Sequence, residues 1–255
     1  MILGISHLVL SSGNMEEDGK SLKSLGYKRV FTQKKIINPE IKQPLFSKFS
    51  NYHDLSFFKS DDGPNIELLN WKNERSNQSN FGPLLILGID NQYLQLIGDK
   101  ILTTDIDTAK NDMSISEVIS EVIHKRDKSL NNKAILIKTN RLQESIIFWE
   151  LFGFKIYSQS DRVIIMSNEV IISKNYNLKL CLLEVNKINK NPHLDDTGIS
   201  CISFLSTNIL KDKKMLFENK IHFIEIGCIS INKKNLEIIF AQGKNGELVE
   251  IIEFK

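Results

Sequence analysis

A repeat within the chain constrains its fold more than any other feature. The segment Leu-Gly-Tyr-Lys at residues 25–28 returns as Phe-Gly-Phe-Lys at residues 152–155, so Gly26 and Gly153 lie 127 positions apart (153 − 26) in a chain of 255 residues. Before each glycine, apolar side chains recur every three or four residues, which predicts a helix with one buried face. An apolar, strand-like run precedes each helix, and glycine tolerates the left-handed conformation that ends many helices. Each copy therefore predicts a strand, a helix and a glycine cap.

Further strand-like segments follow each predicted helix, and together they predict a unit of one strand, one helix and three strands. A third copy begins near residue 198, where Gly-Ile-Ser-Cys resembles Gly-Ile-Ser-His at residues 4–7. Residues 81–128 keep strand-like segments and one helix-like segment at 115–124, but in a different order. We interpret this stretch as a degenerate second unit.

These units predict an α+β fold, in which tandem βαβββ units form curved mixed sheets with helices on the outside. Because the repeat offset is almost half the chain length, we expect two halves. Residues 1–128 would form an N-terminal half that includes the degenerate unit, and residues 129–255 a C-terminal half of two units. We expect each half to form its own curved sheet.

Composition excludes several classes of protein. The 33 basic residues are interspersed with 31 acidic ones, which gives a net charge of +2 and no segregated basic face, so we expect no nucleic-acid partner. No run reaches the roughly 18 apolar residues of a membrane span, and no basic leader precedes an apolar run. The three cysteines are widely spaced. We therefore expect a cytoplasmic protein, without a membrane partner, whose thiols are reduced.

The first strand (residues 4–10), the glycine-capped helix and the fourth strand (residues 65–69) together resemble the vicinal oxygen chelate superfamily of glyoxalases, epimerases, extradiol dioxygenases and antibiotic-resistance proteins. That resemblance implies a divalent metal, Zn, Mn, Fe, Co or Ni, cupped between two units. Each unit can donate a His or Gln from its first strand and a Glu from its fourth. His7 and Glu67 stand at those positions, and imidazole and carboxylate suit such metals.

The other units depart from this pattern. The corresponding pair is Ala134 and Cys181 in the third unit, and Cys201 and Glu250 in the last. Free cysteines on strands are usually buried core residues. The resemblance therefore implies His7, Glu67 and Glu250 as metal ligands, with Glu67 or Glu250 as a catalytic base.

The sequence does not assign the remaining ligands of the metal. Gln92, Gln95, His53, waters or a second subunit of a homodimer would complete the metal site. A lone histidine on an apolar strand is also compatible with a purely structural role, whereas an unpaired carboxylate between Ile66 and Leu68 would be costly to bury.

The leading functional hypothesis is a metal-assisted lyase or isomerase that acts on a small oxygenated metabolite, including epimerisation by proton abstraction next to a carbonyl. One alternative is a non-catalytic protein of the same fold that sequesters a small molecule, which the missing C-terminal ligands favour. Another is an Fe(II) dioxygenase, which would need a second histidine facing His7.

Overall fold

The computed structural model describes residues 1–61, 63–72, 77–87, 93–98, 101–105, 116, 118, 132–168 and 177–255. The strands in these ranges form two curved mixed sheets, and the α-helices that the described residues define pack on them. Within these ranges, no helix combines the length and the apolar character needed to cross a bilayer.

The first unit has the predicted order of elements: β1 (Ile2–Ser11), α1 (Met15–Ser24), β2 (Lys28–Ile37), β3 (Tyr52–Lys59) and β4 (Asn65–Asn70). Helix α1 begins where the Asn14 side chain accepts a hydrogen bond from the backbone N–H of Glu17 at 3.3 Å. Two residues after its end, Gly26 has a φ of +88°, which is the left-handed conformation that the sequence predicted. A 3-10 helix, Glu40–Leu45, lies between β2 and β3.

The remaining elements follow the predicted units closely. They are β5 (Phe81–Leu87), β6 (Tyr93–Ile97) and β7 (Ile101–Asp105); β8 (Asn132–Thr139), α2 (Leu142–Glu150), β9 (Phe154–Gln159), β10 (Val163–Asn168) and β11 (Asn177–Glu184); and β12 (Gly198–Ser206), α3 (Ile209–Glu218), β13 (His222–Ile231), β14 (Lys234–Gln242) and β15 (Leu248–Phe254).

Strand β13 differs from its prediction, and two other predicted segments fall largely outside the described residues. The sequence predicted two strands within β13, but the structure has one strand with a register shift between Glu225 and Gly227. Gly227 has a φ of +82°, so the interruption in the pattern marks a bulge and not a strand end. The predicted strand at 170–173 and most of the predicted helix at 115–124 lie outside the described residues, although residues 116 and 118 are helical.

The expectation that each half forms its own sheet is wrong. The eight-stranded sheet has the order β13-β14-β15-β12-β1-β4-β3-β2, and the seven-stranded sheet has the order β7-β6-β5-β8-β11-β10-β9. The first unit therefore pairs with the last through β1 and β12, and the two middle units pair through β5 and β8. Every unit leaves its first strand with an open edge, and local patterning does not choose between such edges. The division at residues 128 and 129 falls outside the described residues and stays a prediction.

The register within the units supports the residue equivalences taken from the repeat. Glu67 lies beside Val9 on the parallel strand pair β1–β4. Glu250 lies beside Ser203 on β12–β15, and Cys181 lies beside Leu136 on β8–β11. Val9, Ser203 and Leu136 each stand two positions after the first-strand ligand position of their unit, which is residue 7, 201 or 134 respectively. The three units thus have the same geometry but different side chains.

The turn after helix α2 joins the two sheets. Phe152, two residues after the end of the helix, packs against Phe204 of β12 with ring centroids 4.9 Å apart, and both rings are buried. The main apolar core consequently contains residues of both sheets.

Candidate metal centre

Three side chains that the sequence proposed as ligands converge on one face of the eight-stranded sheet. His7 Nε2 lies 2.8 Å from Glu67 Oε2 and 3.5 Å from Glu250 Oε2. One donor atom from each of the three residues lies within 4.8 Å of the others. The side chains of His7, Glu67 and Glu250 are only 7%, 12% and 9% exposed, so the cluster is largely shielded from water.

Strand pairing brings these residues together. His7 pairs with Ser203 across β1–β12, and Ser203 pairs with Glu250 across β12–β15. Neighbouring strands lie roughly 4.8 Å apart, so β1 and β15 are separated by about twice that distance. Ser203 is completely buried between them. Because its side chain is small, His7 and Glu250 can reach across it.

The two carboxylates determine the charge state of His7. Burial disfavours the imidazolium, but the charges of Glu67 and Glu250 and their hydrogen bonds outweigh burial and raise the pKa of His7 to about 9. The other ring nitrogen, Nδ1, lies 3.1 Å from Ser6 Oγ. This second contact fixes the ring so that Nε2 faces the carboxylates.

Glu250 is held in its ionised form although it is buried. Burial raises its pKa, but the hydrogen bond and charge of His7 and the charge of Lys42 outweigh burial, so the pKa of Glu250 lies below its ordinary value. Glu250 thus lies in contact with His7, and its role at the site stays a prediction.

The donor set fits a divalent metal. A metal with bonds of about 2.1 Å holds ligand atoms no more than about 4.2 Å apart. Both His7–carboxylate distances, 2.8 and 3.5 Å, fall below that limit, and all three donor atoms lie within 4.8 Å of one another. One imidazole and two carboxylates are ligands that Mn, Fe, Co, Ni and Zn accept.

The cysteines do not complete this cluster among the described residues. Cys201 is equivalent to His7, but its thiol donates to the carbonyl of Ile202 at 3.6 Å and is not part of the three-residue group. Burial and the nearby charges of Glu250 and Glu67 raise the pKa of Cys201 well above its ordinary value. The cysteines at 181, 201 and 228 are free thiols.

The equivalent face of the seven-stranded sheet is mainly apolar, although it carries the buried Lys179 beside Ala134. Ala134 and Cys181, the counterparts of His7 and Glu67, lie in a buried cluster with aliphatic neighbours that include Val118. Burial raises the pKa of Cys181 to about 12. Within the described residues, this sheet offers no counterpart of the three-ligand cluster.

Neither His53 nor Gln95 belongs to the three-residue cluster. His53 is buried on β3, where its Nδ1 lies 2.9 Å from Asn38 Oδ1, and burial and the charge of Lys42 lower its pKa to about 3. Gln95 is on β6 of the seven-stranded sheet. Gln92 lies outside the described residues.

Two residues of the site, Ser203 and Lys42, were not predicted from the sequence. Ser203 is the small residue that separates His7 from Glu250, and its place two positions after Cys201 on an otherwise apolar strand was the available signal. Lys42 lies on the 3-10 helix and is only 5% exposed. Nothing in the sequence around Lys42 distinguishes it from the many exposed lysines.

An aromatic pair lines the β3 side of the cluster. The ring of Phe57 meets the His7 ring edge-on at 5.5 Å and stacks on Phe31 at 5.8 Å. Phe57 pairs directly with Glu67 across β3–β4, so it shares the face of the cluster.

Comparisons with known proteins agree on the architecture. No family model and no curated protein matches the chain. Among solved structures, two point variants of glyoxalase I from Zea mays align with 98% of this chain and 92–93% of their own, with TM-scores of 0.54 and 0.57 and 12% identity. A Bacillus subtilis protein provisionally described as a dioxygenase aligns with 99% of this chain and 85% of its own, with a TM-score of 0.56 and 10% identity. At such identities the likeness shows the fold alone.

Proposed function

Since the chain has the glyoxalase-like fold of the vicinal oxygen chelate superfamily, we propose that it is a metal-assisted lyase or isomerase, of the epimerase type, acting on a small oxygenated metabolite. One observation carries this proposal: His7, Glu67 and Glu250 converge within 4.8 Å on one sheet face. Among the described residues, three protein donors meet there, which leaves coordination positions for substrate oxygens.

His7 Nε2 and one oxygen of each glutamate would hold the metal. The contact between Ser6 Oγ and Nδ1 supports this role, because ligating histidines commonly use their second nitrogen to fix the ring. A divalent cation at this position supplies Lewis-acid stabilisation for negative charge that develops on a substrate oxygen.

Glu67 is the stronger candidate for the proton-abstracting base. The charge of Lys42 favours the ionised form of Glu250, so Glu250 takes up a proton less readily. The Glu67 side chain is also the more exposed of the two. Glu67 would take the proton next to a substrate carbonyl, while Glu250 stays ionised.

A second function has its own support. The buried charges already balance without a metal, because two carboxylates face the imidazolium of His7 and the ammonium of Lys42. Such a neutral arrangement suits a binding protein that sequesters a small molecule. The dioxygenase alternative gains no comparable support, since the residue equivalent to His7 is Cys201.

Metal analysis of the protein purified without added metal tests the proposal. We expect one divalent metal per chain in the wild type and in His222→Ala, a control that removes an exposed histidine. We expect loss of that metal in His7→Ala and in Glu67→Gln. A metal-free wild type that retains a tightly bound organic compound would support the binding protein instead.

A further inference from the structure

A segment between β2 and β3 crosses the face that carries the three ligands. We call residues 38–51 the strap. At its ends, the Asn38 backbone N–H donates to the Asn51 carbonyl at 2.8 Å. In its middle, Asp195 accepts hydrogen bonds from the Ser47 backbone at 2.8 Å and from the Ser47 hydroxyl at 2.6 Å. These bonds hold the strap in a fixed position.

The strap buries one cation beside the ligands. Lys42 is 5% exposed, and its Nζ lies 5.7 Å from the ring centroid of Phe240. Phe240 pairs directly with Glu250 across β14–β15 and so shares its face. Among the described residues, Lys42 Nζ has neither a hydrogen bond nor a carboxylate within 4.0 Å; its only partners are the Phe240 ring and the longer-range charges of the cluster.

This burial is costly unless something compensates the charge. Glu67 and Glu250 balance a divalent metal between them, and His7 must be neutral to act as a ligand. The positive charge of Lys42 is then left without a counter-charge, and one negative charge on a bound molecule would restore neutrality.

We propose that Lys42 binds the anionic group of a small monoanionic chelator, such as an α-hydroxy or α-oxo carboxylate, held jointly with the metal of the His7, Glu67 and Glu250 site. This inference rests on the proposed function and adds the substrate class and a specificity residue. A neutral diol or diketone would leave the positive charge of Lys42 uncompensated. A dianion would give the buried site a net charge of −1.

Two small probes test the inference on the Co²⁺-loaded protein. Glycolate is a monoanionic α-hydroxy carboxylate, and glycolamide is its neutral counterpart of nearly the same shape. The dissociation constant of each is measured by titration, followed in the visible spectrum of Co²⁺. The readout is the preference for glycolate over glycolamide, compared between the wild type and Lys42→Met.

We expect Lys42→Met to bind Co²⁺ and to lower the glycolate preference by about tenfold or more, because the variant keeps the bulk of the side chain and removes its charge. Lys48→Met is the matched control: it removes an exposed lysine from the same strap and should leave the preference unchanged. An unchanged preference in Lys42→Met, or a wild type that loads Co²⁺ but binds neither probe, would overturn the role of Lys42.

Failure of the metal site itself gives a different result, since the wild type would then not take up Co²⁺ at all. If Lys42→Met does not fold, a crystal structure of the Co²⁺-loaded wild type with glycolate replaces the comparison. A glycolate carboxylate within hydrogen-bond distance of Lys42 Nζ supports the inference, and one turned away from Lys42 refutes it.

Discussion

Three equivalent positions in the chain carry His7, Ala134 and Cys201, and only one of them can bind a metal well. The strands around the three have the same register, so the backbone offers the same place for a ligand each time. Side-chain chemistry alone decides the outcome, because a methyl group has no donor and a buried thiol resists ionisation. Here single residues decide whether an equivalent position belongs to the candidate metal site or to a buried core.

The protonation of His7 gives a prediction for the metal-free protein. Folding raises the pKa of His7 from 6.5 to about 9. The imidazolium therefore stabilises the fold fully below about pH 6.5, and this contribution is lost as the pH rises through about 9. At about 1.36 kcal/mol per pKa unit, the difference between 6.5 and 9 corresponds to at most about 3–4 kcal/mol.

Urea unfolding of wild type and His7→Gln, both treated with chelator, measures that contribution. Between about pH 6 and about pH 9.5, the wild type should lose more unfolding free energy than the variant. Equal losses would mean that Glu67 and Glu250 do not hold His7 as an imidazolium.

The small size of Ser203 gives a second prediction. Ser203→Leu should weaken Co²⁺ binding at least tenfold, because a large side chain between β1 and β15 keeps His7 from Glu250. It should also cost about 1–3 kcal/mol through overpacking. Ser203→Ala keeps the space open and should bind Co²⁺ as the wild type does; equal affinity in the leucine variant would show that the gap is not needed.

At the scale of elements, the sequence predicted the strand–helix–three-strand units and the residue equivalences between them. These depend on local features, such as the periodicity of apolar residues and the glycines at 26 and 153. The strap could not be predicted in the same way. Its position depends on hydrogen bonds to Asp195, which is 148 residues away from Ser47, and no local pattern encodes such a contact. Lys42 was missed for this reason.

The turn between β14 and β15 gives a prediction about long-range contacts. Gly246 has a φ of +80°, and an added Cβ would collide with the carbonyl oxygen of Asn189 and the amide of Asn80. Gly26 has a φ of +88°, but an added Cβ would meet nothing within 4 Å.

Replacing each glycine by alanine separates the cost of backbone strain from the cost of a steric collision. Gly26→Ala should cost only the left-handed strain of about 1–2 kcal/mol. Gly246→Ala should lower the unfolding free energy by clearly more, because the Asn189 backbone must move as well. Similar losses in denaturant titrations of the two variants would show that the turn is not packed as described.

At the scale of the whole molecule, the first and last units share one sheet and the middle units share the other. The repeat in the sequence revealed the units but not their pairing, since the open edges of their first strands are alike. Two connections lead from one sheet to the other. Gln78, between β4 and β5, and Thr197, between β11 and β12, form a parallel bridge, so these two connections run side by side.

This arrangement predicts how fragments behave. Residues 1–128 and 129–255, expressed separately, should not fold as independent units, because each fragment loses the partner of β1 or β12. Mixing the fragments should restore the cooperative unfolding transition of the intact chain. Two fragments that each unfold cooperatively on their own would contradict the shared sheet.

A crystal structure of Co²⁺-loaded protein with anomalous scattering data tests whether His7, Glu67 and Glu250 hold a divalent metal. We predict one anomalous peak between His7 Nε2 and the two carboxylates, at bond lengths of about 2.0–2.2 Å. An absence of any peak, with His7 still hydrogen-bonded to Glu67, would contradict a metal-binding role for the three residues.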